Sequence, residues 1–77
     1  MNNFKVGDLV YTDMSGDVVK ITNINNSRSI FSGEVVKYLD GTYPSAHLPI
    51  GFTSKTWWAP VFQKYNFGLE FKKIKII

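Results

Sequence analysis

Short β-favouring runs, spaced about ten residues apart and separated by turn formers, predict a small antiparallel β-barrel of about five strands with one short helix. Length and composition agree with that class. The 77 residues suffice for one domain, spanning 1–77, and leave no room for a second core. A chain this short buries only about 60% of the surface its unfolded form exposes, so each large apolar side chain matters. The aromatic share of 16% supplies such side chains, because aromatics bury the most area per ordered residue.

The first strand follows the Val6-Gly7-Asp8 turn. Ser15 to Asp17 is a second turn signal between two β-favouring runs, so Leu9–Asp13 and Val18–Asn23 read as a hairpin. In the second run Val19, Ile21 and Asn23 share one face, while Val18, Lys20 and Thr22 share the other. The stretch NINNSRS, residues 23–29, is dense in turn formers and reads as an exposed loop. Ile30 to Leu39 reads as a third strand, with Gly33 marking a bulge or bend. Asp40-Gly41 is a strong hairpin signal. TYPSAHLPI beyond it holds two prolines and suits only an edge strand or an extended loop.

The stretch KTWWAPVFQKY, Lys55 to Tyr65, supplies the expected helix near residues 57–65. Thr53, Ser54 and Thr56 are candidate caps, and Trp58, Phe62 and Tyr65 would form one apolar stripe. Pro60 is tolerated only in a first turn, which limits the helix to about two turns. Whatever the backbone does there, Trp57 and Trp58 diverge by ~100° on a helix or ~180° on a strand. They cannot both face one interior, so one of them lies at the surface as an interface anchor.

The closing run NFGLEFKKIKII alternates, with Phe67, Leu69 and Phe71 on one face. The phase slips at Lys72-Lys73, where a bulge would restore the apolar side.

Charge is unevenly placed. The chain nets +3, yet residues 1–54 carry one more acidic than basic side chain. Residues 55–77 set Lys55, Lys64, Lys72, Lys73 and Lys75 against Glu70 alone. That asymmetry points to a basic face suited to nucleic acid or an acidic protein surface. The candidate partner-binding residues are therefore Lys55, Trp57, Trp58, Lys64, Tyr65, Lys72, Lys73 and Lys75.

Catalytic chemistry has little to work with. His47 is the one histidine, and with no cysteine there is no zinc set, thiolate or disulfide framework. Asp13, Ser15 and Asp17 alternate as at the start of a calcium loop, but the downstream bidentate glutamate is missing. No phosphate loop or nucleophile elbow is present. The expectation is a protein without enzymatic activity, cofactor or metal. No signal-peptide pattern or long apolar run is visible, which predicts a soluble protein with no membrane partner in a reducing cytoplasm.

The opening FKVGDLVYTDMSGDVVKITNI resembles the start of many small SH3-like barrel proteins, in which a Val-Gly-Asp turn leads the first strand. Together with LPIGFTSKTWWAPVFQKYNFGLEF it is similar to a class of short accessory proteins of Bacteroidota phages and mobile elements. Pro49, Ile50, Thr53, Trp57, Phe62 and Lys64 fit that pattern, whereas Lys55 and Thr56 replace its acidic pair and Pro60 interrupts its helix. The resemblance implies an SH3-like barrel doing accessory work in phage–host conflict or phage DNA metabolism. Size, charge and resemblance together lead to the expected role. It is a non-catalytic protein of the host bacterial cytoplasm that inhibits a host nucleic-acid-directed defence complex, such as a CRISPR effector ribonucleoprotein. The alternative is direct nucleic-acid binding in phage DNA or RNA metabolism, with lysines along the strand and aromatics stacking on bases.

Overall fold

The computed structural model describes residues 4–12, 15–39 and 47–65 of the chain. Among these residues five strands form one antiparallel sheet: β1 Leu9–Tyr11, β2 Asp17–Asn25, β3 Ile30–Tyr38, β4 Thr53–Trp58 and β5 Gln63–Lys64. Their order across the sheet is β4-β3-β2-β1-β5. A single 3₁₀ turn, Ala59–Val61, carries the chain from β4 at one edge to β5 at the other. None of the described helical segments is long and apolar enough to cross a membrane.

The helix expected near residues 57–65 does not form. Trp57 and Trp58 instead complete β4, pairing with Phe31 and Ile30 of β3. Pro60 offers no N–H and its ring bars the preceding turn, so it confines helical geometry to the 3₁₀ turn. A two-turn helix gains few hydrogen bonds for its nucleation cost, whereas the ladder to β3 is already available. Aromatic side chains also suit a half-buried pleated surface.

Other boundaries shift too. The β2 strand continues to Asn25, so only Asn26–Ser29 remain of the expected long loop. Ser29 turns the corner with a left-handed backbone, φ 56°. The β1 strand ends at Tyr11. The Asp40-Gly41 hairpin signal and the closing alternation with its bulge at Lys72-Lys73 lie outside the described residues.

Gly33 itself carries no extra residue; its two neighbours do. Ile21 pairs with Gly33 and Asn23 with Ser32, which leaves Thr22 as the added residue in β2. Phe31 pairs with Trp57 and Gly33 with Ser54, so β4 also carries one more residue than β3 across that interval. Gly33 permits this crowding. A Cβ there would sit 2.6 Å from the Lys20 carbonyl oxygen and 2.6 Å from Val19 Cγ1. The added Thr22 also turns Asn23 outward, correcting the expectation that it shares the face of Val19 and Ile21.

The main core is built on the face of Val10, Val19, Ile21, Phe31 and Val35, closed by Ala59 and Phe62. Phe31 is its hub, with ring centroids 4.9 Å from Phe62, 5.8 Å from Trp57 and 6.4 Å from Phe4. A smaller cluster of Tyr11, Val18 and Leu39 lies on the opposite face. The sheet is thus covered on both sides near β1. Toward the β2–β3 turn its outer face is open.

Candidate functional site

The two tryptophans part company as strand geometry requires. Trp57 faces the core, its ring 5.8 Å from Phe31, 6.3 Å from Phe62 and 6.2 Å from Phe52. Trp58 points to the outer face with 57% of its surface exposed. Its backbone is nonetheless fixed. Trp58 pairs with Ile30, and the next amide, Ala59 N–H, donates to the Ser29 carbonyl at 2.8 Å. The indole is an exposed side chain on an anchored backbone.

On the same face, reaching along β4 as far as Lys55, lies a shallow groove of about 400 Å³ across β2, β3 and β4. Thr22, Asn23, Ser32, Glu34, Thr53 and Lys55 line it, around the backbone of Gly33. The irregularities at Thr22 and beside Gly33 meet there, whereas a third, between Val18 and Val19, lies outside it. The lining is hydroxyl, carboxamide, one carboxylate and one ammonium, with no aliphatic or aromatic side chain. Such groups both donate and accept hydrogen bonds, so the groove suits a polar ligand. Glu34 stands directly opposite Lys20 in the ladder, which offsets its charge.

The other candidate residues are more dispersed. Lys55 lines the groove, close along the strand to Trp58. Lys64 and Tyr65 lie at β5, the far edge of the sheet from β4. Lys64 Nζ is 3.7 Å from Asp8 Oδ2. Tyr65 packs on the smaller cluster, and its hydroxyl accepts a 2.9 Å hydrogen bond from Lys37 Nζ. The same ammonium stands 5.1 Å from the Tyr65 ring centroid. Trp57 and Tyr65 thus have structural duties. Lys72, Lys73 and Lys75 lie outside the described residues.

Edge pairing at β4 is discouraged by the strand's own chemistry. The Thr56 N–H donates to Ser54 Oγ at 3.2 Å, so this backbone donor is already occupied. A register shift and Lys55 blunt the same stretch. Contact through the face is the better use of β4.

Lys20, Thr22, Asn23, Ser32 and Glu34 were absent from the candidate set read from sequence. Their shared location depends on the β2 irregularity, whose nearest signal in the sequence is Gly33, on the strand next to Lys55. Arg28, in the turn next to Asn25 and Ile30, adds an exposed cation at the tryptophan end. Compared with models of protein families, with curated proteins and with solved structures, the chain matches none.

Proposed function

We propose that this chain is a stoichiometric binding module that grips a macromolecular partner with the outer face of β2, β3 and β4. The observation that carries this reading is Trp58: a large indole left 57% exposed on an anchored strand end, on the face that also holds a polar groove. Tryptophan is costly to leave in water and is enriched among residues that dominate binding energy. Lys55 gives the same face a cation for an acidic or nucleic-acid-handling partner.

We further propose an SH3-like barrel as the scaffold. Supporting it are the order β4-β3-β2-β1-β5 and the single 3₁₀ turn joining the two outermost strands. With the resemblance to phage and mobile-element accessory proteins, the reading becomes a non-catalytic inhibitor of a host nucleic-acid-directed defence complex. Tagged protein should retain one host protein from lysate in stoichiometric amount, and Trp58→Ala should release it. Retention that ignores Trp58→Ala would sink the reading.

A further inference from the structure

We infer that the part of the partner touching this face is an unpaired nucleic-acid strand, stacked on Trp58 and read by the groove. The inference rests on the reading above that the outer face is the binding surface. Four observations carry it.

The first is charge. Arg28 is exposed in the β2–β3 turn, Lys55 lines the groove, and Lys20 lies at the far end of the strip, between Glu34 of β3 and Leu9 of β1. Of the carboxylates on described residues, Asp8 sits with Lys64 at β5 and Asp17 is buried. Glu34 alone opposes the three cations, and Lys20 stands across from it. Among the described residues the face is a short positive strip in which one carboxylate, Glu34, would meet a phosphate.

The second is the stacking platform. Trp58 exposes its indole, and any base offers a π-face to it without regard to sequence. The third is the groove's lining. Asn23 and Ser32 are cross-strand partners on this face, and with Thr22 and Thr53 they match base edges and ribose hydroxyls. No aliphatic or aromatic side chain lines the groove to hold an apolar anchor from a protein segment.

The fourth is dimension. From Ile30 to Glu34 the strip runs about 14 Å, at about 3.4 Å per strand residue. That is enough for a few extended nucleotides and too little for tight binding. A duplex has its bases stacked inward and cannot use the indole. Salt-sensitive, sequence-tolerant binding follows.

The test is a titration of the full chain with dT and U oligonucleotides of about a dozen residues, a length within the span single barrels cover. Binding should be detectable at low salt. Three phosphate contacts at about −0.7 each give a log–log salt slope of about −2, so raising salt from about 50 to 200 mM should weaken binding about 20-fold. Trp58→Ala should weaken it roughly tenfold, Trp58→Phe should recover most of that, and Glu34→Gln should tighten it. Equal thermal midpoints for the variants would separate binding from folding. Comparing the dT and U arms tells whether DNA or RNA is preferred.

Absent binding at low salt, a flat salt response, or indifference to Trp58→Ala each overturn the inference. If oligonucleotides fail while Trp58→Ala still releases a captured host protein, the strand is wrong and the binding face stands. If neither binds, both fall.

Discussion

Asp17 and Tyr38, directly opposite each other across the β2–β3 ladder, hold both polar backbone groups of Leu48. The Tyr38 hydroxyl donates to the Leu48 carbonyl at 2.7 Å, and the Leu48 N–H donates to Asp17 Oδ2 at 3.2 Å. His47 stacks on the Tyr38 ring at 3.9 Å, adding a flat contact to the same clamp. The pair fixes the chain as it returns toward β4. Tyr38→Phe keeps the stack but orphans the carbonyl, and should cost about 1–2 kcal/mol in chemical denaturation. Asp17→Ala should cost more than Asp17→Asn, because the amide retains an acceptor for Leu48 and removes a buried charge whose Oδ1 has no hydrogen-bond partner. Equal losses for the two Asp17 variants would contradict the clamp.

The tryptophans should separate in stability as they do in space. Trp57→Ala empties a position against Phe31, Phe52 and Phe62 and should cost about 2–4 kcal/mol. Trp58→Ala removes an exposed ring and should stay within about 0.5 kcal/mol of the parent. Denaturant midpoints of the two variants check this, and comparable destabilisation would place both indoles in the core.

Gly33 admits no side chain. In Gly33→Ala the new methyl meets the Lys20 carbonyl oxygen, which is backbone and cannot swing aside. A loss of about 1–3 kcal/mol is expected, with parallel loss of any binding that uses the groove. Unchanged stability would mean that β2 and β3 lie further apart than described.

Ser29 offers a gain. Its φ of 56° lies where a side chain costs roughly 1–2 kcal/mol, and glycine relieves part of that. Ser29→Gly should raise the thermal midpoint by a few degrees, since about 1 kcal/mol corresponds to about 4–8 °C in a domain of this size. A lower midpoint would show that the Ser29 side chain contributes more than its backbone strain removes.

The Lys64–Asp8 pair makes the opposite kind of prediction. At 3.7 Å, with the lysine side chain 53% exposed, it is an ion pair in high dielectric. Lys64→Ala should cost less than about 1 kcal/mol, and the difference should vanish in concentrated salt. A large, salt-independent loss in the same denaturation series would contradict this.

Much of the sheet was legible because period-two patterning survives in Leu9–Tyr11 and Val19–Ile21 and turn formers bracket the strands. Two local signals were outweighed by tertiary structure. Cap residues and an apolar stripe spoke for a helix around Trp57, but the ladder offered by Phe31 and Ile30 holds those residues extended. Asn23 belonged by parity with Val19 and Ile21, but the extra residue Thr22 reversed it. Parity arguments fail wherever one strand slips against its neighbour, and here two slips converge on the groove. Divergence of the paired indoles was readable in advance, since it holds for helix and strand alike. Which one faces out depended on the partner at Phe31.

The pairing of β1 with β5 has a consequence for synthesis. Tyr11 and Gln63, hydrogen-bonded through their side chains, are 52 positions apart. On the ribosome the nascent β1 can find β2 early, yet its second edge stays open until Gln63 has left the exit tunnel. The β1–β5 pairing must wait for that late arrival, a topology associated with folding in milliseconds to seconds. During that interval the bare edge of β1 is where chaperones, or neighbouring copies on one polysome, would first take hold.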